Sequence, residues 1–333
     1  MLMTSASDEN ELEHWRNQFG RCQLSNAKMR PQPKLADVLV KLPGILALII
    51  RMRLKAGGWL GPLCITGEEI NEIVAVTKMD KRQIMVLLLD VASALAQMPG
   101  EGNHIGAVLE GETDSLYIGA PITWQGKGAK FSAHGIQTAI LSAWQFGEKR
   151  LRSMVVETPP CACCRQFVRE TWNWNTLKIV HAPDGPESWA KGTVVDLPLS
   201  PTGLKLDDVK SRLMGEPQRG ITLSKMEVSD MVNLAVESAS LCYAPYSKNF
   251  AGIAVKTKKG MIFQGRYAEC ATSIAGILAI EAALINMFLC GVPYSDISEI
   301  LLVETRGSVT QFSVTQKLAT AMGSIPFRFM MAT

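Results

Sequence analysis

Hydrophobic positions follow a helical period in the N-terminal third of the chain and alternate between strand and helix patterns afterwards. Over residues 35–98 apolar side chains recur every three to four positions, which predicts a helical region. Within it, TGEEINEI at 66–73 has Thr66 as an N-cap and Glu69 three residues later, the capping-box pattern that begins a helix. Residues 1–35 are polar and interrupted by proline, so we expect a loosely ordered lead-in.

The remainder of the chain repeats a pattern of two strands, a helix and a strand. The corresponding stretches are GAVLEGETDSLYIGA (106–120) and GIAVKTKKGMIFQGR (252–266), HGIQTAILSAWQFG (134–147) and LAIEAALINMFLCG (278–291), and MVVET (154–158) and LLVET (301–305). Two such units in one order indicate an internal duplication, with a mixed sheet and packed helices in each half. The predicted fold class is therefore α/β.

Domain boundaries follow from the repeat and from composition. We expect a lead-in with a helical region at 1–98 and a first copy at 99–182. A linker at 183–220 and a second copy at 221–333 follow. The linker prediction rests on the Pro, Gly and Asp content of its stretch. The 333 residues are enough for two domains, and a hydrophobic content of 47% can supply their cores.

Charge, hydropathy and the N-terminal residues bear on whether the protein contacts nucleic acid or membranes and on its cellular compartment. The net charge of +3 does not by itself favour nucleic acid or membranes. The longest apolar run, at 45–50, is too short to cross a bilayer and predicts a buried helix. The N-terminal stretch MLMTSASDENELEHW is acidic and lacks the features of a signal or transit peptide. We therefore expect a cytoplasmic protein with no membrane contact.

Three cysteines lie close together in TPPCACCRQF at 158–167. The eight cysteines have no regular spacing, and in a reducing compartment Cys-x-x-Cys binds metal more often than it forms a disulfide. Cys161 and Cys164 before a helix can direct two thiolates at one ion, and His134 at the preceding helix start can add a third ligand. Three ligands with one open position are typical of catalytic Zn²⁺. We expect Cys163 to point away as a bystander.

A His-led helix, then a strand, then Pro-Cys-x-x-Cys resembles the signature of the zinc-dependent cytidine deaminases, His-x-Glu followed by Pro-Cys-x-x-Cys. The fuller similarity is to their long, homodimeric type and extends from Ile65 to the C-terminus. It is carried by ITGEEI, HGIQTAILSAW with FGEK, PCACCRQF, YAPYSKN (243–249) and IFQGRYAE (262–269). The resemblance implies two cytidine-deaminase-like domains behind a helical N-terminal region, a Zn²⁺ cofactor and a homodimer.

The resemblance also implies that functional positions of the family are altered here. Ile136 stands where the family has the Glu that shuttles protons during deamination. Pro121 and Thr123 replace an Asn and a Glu that hold ribose hydroxyls, and Asn103 and Ser273 replace aromatic residues. Isoleucine cannot transfer a proton, and loss of a positioned acid/base lowers a rate by about 10²- to 10⁴-fold. These changes indicate a pseudoenzyme that acts by binding or assembly, with no catalytic residue identified.

Two residues are candidates for a replacement base. Glu157 ends the strand before the cysteines, and His104 lies near the first hairpin. Glu304 occupies the position of Glu157 in the copy without metal ligands, which favours a structural role for both. For His104 we favour a solvated position or one at the edge of the core.

Two further functional hypotheses stay open. The first is an active deaminase that converts cytidine or deoxycytidine to the uridine product with a rearranged base. The second is a nucleic-acid-associated module, in which Trp172 and Trp174 of TWNWN stack on bases. We expect instead that one of these tryptophans is buried and the other packs against the sheet. The favoured partners are a second copy of the chain and a nucleoside or a protein.

Overall fold

The N-terminal region is helical, as its periodicity predicts. The computed structural model describes residues 32–56, 64–97, 105–123, 132–182, 193–194, 212–215, 218–223 and 227–333. Its first helices are α1 (Leu35–Lys41), α2 (Gly44–Ala56), α3 (Gly67–Thr77) and α4 (Lys81–Ala94). Thr66 caps α3, because its Oγ1 accepts from the Glu69 amide at 3.2 Å and the Glu69 carboxylate accepts from the Thr66 amide at 2.9 Å. The predicted capping box is confirmed.

The first copy is built on a sheet of six strands in the order β1-β3-β2-β6-β7-β8. These strands are β1 (Cys64–Ile65), β2 (Ala107–Gly111), β3 (Leu116–Gly119), β6 (Leu151–Val156), β7 (Lys178–His181) and β8 (Thr193–Val194). A two-stranded sheet pairs β4 (Ile122–Thr123) with β5 (Ser132–Ala133). Helix α5 (Gly135–Gln145) precedes β6, and helix α6 (Ala162–Glu170) follows it.

The second copy has a four-stranded sheet in the order β10-β9-β11-β12. Its elements are α7 (Asp230–Ser240), β9 (Ala251–Thr257), β10 (Ile262–Arg266), α8 (Ala279–Leu289), β11 (Ile297–Thr305), α9 (Phe312–Ala321) and β12 (Phe327–Ala332). Two short 3-10 helices, Ser273–Ala275 and Tyr294–Asp296, lie before and after α8.

Strand pairing shows that the two copies share one topology. The central strands β3-β2-β6-β7 correspond to β10-β9-β11-β12, and in each set the first two pairings are antiparallel and the last is parallel. The duplication predicted from the sequence is confirmed. Each unit is longer than predicted, because a further helix and a parallel strand (α6 and β7, α9 and β12) complete it.

A glycine at the end of the hairpin in the first copy, and one residue before its end in the second, lets the following helix approach the sheet. A Cβ at Gly119 would collide with the carbonyl oxygen of Gly135, and a Cβ at Gly265 would collide with that of Ala279. Gly135 and Ala279 are the first residues of α5 and α8. The two glycines therefore fix the distance between hairpin and helix in the same way.

The most apolar helices are buried within the chain. Helix α8 has Met287 fully buried and Leu289 at 5% exposure. These side chains pack into the chain's own core and are not available as a surface for association with a second chain. None of the helices in the described ranges combines the length and the apolar character needed to cross a membrane.

Candidate metal centre

Three side chains from two helix starts converge at one point in the first copy. His134 Nδ1 lies 3.2 Å from Cys164 Sγ and 3.3 Å from Cys161 Sγ. The ligand atoms of all three residues lie within 4.8 Å of one another. Donors on one tetrahedral Zn²⁺, with bonds of about 2.0–2.3 Å, are separated by about 3.5 Å. The spacing and the imidazole–thiol donor set therefore fit a zinc ion.

Local structure explains why these residues meet. His134 is the N-cap of α5 and Cys161 is the N-cap of α6, so both side chains lie at helix beginnings. Cys164 follows one turn into α6 and is 3% exposed. Strand β6, which connects the two helices, brings both beginnings to the same edge of the sheet. The amides of the first turns carry partial positive charge, which favours thiolates there.

The electrostatics distinguish the three thiols. Hydrogen bonds from the thiols of Cys163 and Cys164 are the main reason that the pKa of Cys161 lies well below its ordinary value. The pKa of Cys164 is raised well above its ordinary value by its hydrogen bond to Cys161 and by burial. The pKa of His134 is raised, chiefly by its hydrogen bond to Cys161. These contacts favour the thiolate form at Cys161 and disfavour it at Cys164. Cys163 is outside the group of convergent ligand atoms, but its thiol does not point away as expected, because it makes a hydrogen bond to Cys161.

The two residues after the first helical position of α5 differ in character. Ile136, two positions after His134, is 6% exposed and belongs to the main hydrophobic core. Gln137 is 3% exposed, and both the oxygen and the nitrogen of its side-chain amide make hydrogen bonds. Its Oε1 accepts from the His134 amide at 2.9 Å, and its Nε2 donates to the Ala275 carbonyl of the second copy at 2.9 Å.

Two carboxylates near the ends of β6 and β11, Glu157 and Glu304, are held by hydrogen bonds. Both oxygens of Glu157 accept from Ser93 Oγ at 3.0 Å. Glu304 accepts from Asn249 Nδ2 at 3.1 Å and from the Gln311 amide at 2.9 Å. These contacts support the structural role predicted for both glutamates.

The corresponding place in the second copy contains no such ligand set. Helix α8 begins after Leu278, where α5 begins after His134. Cys164 follows Glu157 by seven residues, as Gln311 follows Glu304 by seven (164 − 157 = 311 − 304). Gln311 Oε1 accepts from the Ala279 amide at 2.9 Å. A polar amide and a leucine thus occupy two of the three positions that carry the candidate ligands in the first copy.

The structure describes three of the other positions at which the sequence differs from the family pattern. Pro121 is buried, and Thr123 is half-buried in β4. Ser273 begins a short 3-10 helix, whereas His104 and Asn103 lie outside the described residues.

The expectation for the tryptophans was wrong in part, because neither is buried. Trp172 is 46% exposed, and Trp174 is half-buried with the Arg169 guanidinium 4.8 Å from its ring centroid. The cation–π contact with Arg169 stabilises the position of the Trp174 ring, although the ring is not fully buried.

Some residues around the centre have no signal in the sequence. Gln137 and Glu170 connect the ligand-bearing helices to the second copy. Only a comparison of the copies could have drawn attention to Gln137, which has Glu281 as its counterpart. Glu170 lies six residues after Cys164 in a helix whose partner surface belongs to a distant segment.

Family models and relatives agree on what this architecture is. Two models of the cytidine and deoxycytidylate deaminase zinc-binding region match the chain, one over residues 78–177 and the other over residues 197–316. A cytidine deaminase of Photobacterium profundum is 30% identical over 301 residues, which cover 90% of this chain and 99% of the relative. The chain belongs to the cytidine deaminase family.

Further cytidine deaminases are similar to this chain over about four fifths of its length. That of Photorhabdus laumondii subsp. laumondii is 34% identical over 270 residues, covering 80% of this chain and 89% of the relative. That of Proteus mirabilis is 32% identical over 263 residues, covering 79% and 87%. This cytidine-deaminase-like chain contains the family's zinc-binding region twice. With a His/Cys/Cys group of suitable spacing in the first region, its cofactor is Zn²⁺.

Proposed function

We propose that this chain is a zinc-bearing cytidine deaminase homologue that has lost deaminase catalysis and acts by binding or assembly. In this proposal His134, Cys161 and Cys164 are the zinc ligands. Bound Zn²⁺ supplies Lewis-acid polarisation at the site. The observation that carries the loss of catalysis is Ile136, a buried aliphatic side chain two positions after the His134 ligand.

Deamination needs a group that moves a proton between water, the base and the departing ammonia. The isoleucine side chain has no atom that can hold a proton, and a positioned acid/base contributes about 10²- to 10⁴-fold to a rate. Glu157, the carboxylate at the end of the strand before the cysteines, already accepts from Ser93 with both oxygens. That engagement argues against its service as a replacement base.

Substrate binding is also weakened in this proposal. Pro121 has no side-chain donor or acceptor for a ribose hydroxyl, and Thr123 has no carboxylate to accept from two of them. Each hydroxyl that is desolvated without a partner costs about 1–3 kcal/mol. The affinity for a nucleoside would therefore be at least about tenfold lower than in a site that pairs both hydroxyls. The expected ligand is a nucleoside-like molecule or a protein. We further propose a homodimer, with the two copies bounded near 99–182 and 221–333.

The test combines zinc content and turnover on one preparation. We expect about one Zn²⁺ per chain, its loss in Cys161→Ser/Cys164→Ser, and negligible turnover of cytidine and deoxycytidine. Ile136→Glu should restore partial activity, whereas the matched variant Ile136→Gln, of similar size but unable to transfer a proton, should restore none. Adding Pro121→Asn and Thr123→Glu should help more in the Ile136→Glu background than in the parent.

Two results would contradict this proposal. Turnover by the parent at an ordinary enzymatic rate would establish an active deaminase with a rearranged base. Full zinc content after both cysteine substitutions would place the metal elsewhere in the chain.

A further inference from the structure

One short segment of the second copy is bonded to both ligand-bearing helices of the first. At one end of the segment 271–275, the Ala271 amide donates to Glu170 Oε1 at 2.9 Å. At the other end, the Ala275 carbonyl accepts from Gln137 Nε2 at 2.9 Å. Glu170 is the last residue of α6, and Gln137 lies in the first turn of α5. We call 271–275 the bracing segment.

Glu170 is held almost entirely by the second copy. It is fully buried, and its Oε2 accepts from Tyr243 Oη at 2.7 Å and from Tyr246 Oη at 2.9 Å. A buried carboxylate is unfavourable unless its lone pairs are satisfied. Gln166 of its own helix donates to Oε1 at a longer 3.4 Å, so the three shorter hydrogen bonds all cross between the copies. The end of α6 is therefore fixed in position by the second copy.

Gln137 extends the same connection to the histidine. Its Oε1 accepts from the backbone of His134, and its amide nitrogen reaches the bracing segment. In the second copy Glu281 makes the equivalent cap, accepting from the Leu278 amide at 2.8 Å. A carboxylate could not also donate to a carbonyl. The glutamine at 137 provides this donor at every pH, whereas Glu281 has one only while its carboxyl is protonated.

We propose that the second copy, which has no ligands in its corresponding place, sets the geometry and hence the zinc affinity of the first copy's metal centre, with Glu170 as a positioning residue. Helix α6 carries Cys161 and Cys164 at its beginning and Glu170 at its end. A nine-residue helix behaves as a rigid rod, so a change at Glu170 tilts the two thiols relative to His134. Groups that orient metal ligands from outside change metal affinity by about 10- to 100-fold when removed.

The inference rests on the proposed ligand set, and its test measures zinc affinity on the full chain. Tyr243→Phe/Tyr246→Phe removes only two hydroxyl groups, both in the second copy. We expect it to raise the Zn²⁺ dissociation constant about 3- to 10-fold in competition with a chromophoric chelator, less than the loss typical of groups that contact ligands directly. Glu170→Ala should weaken zinc binding about tenfold or more, and Glu170→Gln, which keeps an acceptor for Ala271, should recover part of it.

The matched control removes a tyrosine hydroxyl group that bonds a buried carboxylate away from the metal centre. Tyr117 Oη donates to the buried carboxylate of Glu148 at 2.9 Å, beyond the end of α5 and away from the ligands. Tyr117→Phe should lower the melting temperature comparably but leave the zinc dissociation constant within about twofold. The Co²⁺-loaded proteins give a second readout. The visible absorption typical of tetrahedral thiolate coordination should weaken in the double tyrosine variant and persist in Tyr117→Phe.

The outcomes separate the two proposals. If the parent binds zinc and the double tyrosine variant binds it equally tightly with an unchanged Co²⁺ spectrum, the bracing role is wrong and the ligand set stands. If the parent binds no zinc, the ligand set fails and the bracing role with it. If Glu170→Ala does not fold, the double tyrosine variant decides alone.

Discussion

Gln137 and Glu281 show how one position of the repeat has taken different chemistry in the two copies. Both side chains accept a hydrogen bond from the residue that begins their helix. Glu281 is 4% exposed and belongs to a predominantly apolar helix. Burial raises the pKa of its carboxyl to about 8, although the Leu278 amide acts in the opposite direction. The fold therefore keeps Glu281 largely protonated near neutral pH.

This raised pKa predicts a stability that falls as the pH rises. In the window from about 4.5 to about 8 the unfolded chain ionises Glu281 while the folded chain retains its proton, so the folded state becomes relatively less stable. Glu281→Gln should remove this dependence. We expect a gain in the free energy of unfolding on the order of 4 kcal/mol at pH 8 and little change at pH 4.5.

Urea unfolding of parent and variant at the two pH values measures the effect. An equal difference between the two proteins at both pH values would show that Glu281 titrates normally in the fold.

At the scale of elements, each hairpin and the helix after it form a closely packed pair. The approach depends on Gly119 in the first copy and on Gly265 in the second. Because α5 begins at the His134 ligand and α8 begins at Leu278, the same steric defect should have different functional results in the two copies.

We therefore expect Gly119→Ala and Gly265→Ala each to lower the free energy of unfolding by about 1–3 kcal/mol, because the added methyl displaces the following helix. Gly119→Ala should also weaken zinc binding, and more than Gly265→Ala does, because α5 itself begins next to His134. Gly44→Ala is the matched control, since a Cβ there meets nothing within 4 Å, and it should be neutral in both measurements. Equal zinc affinity in all three variants would argue against coupling between the hairpin and the ligand.

At the scale of the molecule, the two copies pack against each other within one chain. Helices α5 and α8 are in contact, and α6 contacts the 3-10 helix Ser273–Ala275. Apolar side chains nevertheless remain on the surface, with Ile274 at 68% and Val309 at 48% exposure. Val309 also lines an open cavity of about 470 Å³ together with Phe312, Phe329 and Met331. Such surfaces favour association between chains.

The proposed homodimer predicts a mass of twice the 36.4 kDa chain in light scattering at micromolar concentration. The mass should persist in the zinc-depleted Cys161→Ser/Cys164→Ser variant, because the exposed apolar residues lie outside the metal centre. A monomer at that concentration in the parent would contradict the prediction.

The sequence by itself determined the features that depend on residues close together in the chain. The capping box at Thr66, the repeated hairpin and helix, and the three proposed zinc ligands near helix starts all follow from short patterns. Periodicity reports which face of an element is apolar, and a Cys-x-x-Cys spacing reports that two thiols can reach one point. For the same reason the repeated unit of each copy was predictable, with its two strands followed by a helix and a further strand.

Tertiary structure alone decided which surfaces of the two copies meet. Gln137 and Ala275 are 138 positions apart, and Glu170 and Ala271 are 101 apart, so no local pattern connects them. The burial of Met287 and Leu289 inside the chain likewise depends on how α8 packs. A hydrophobic pattern shows that a face must be covered, but the element that covers it is fixed only when the whole chain folds.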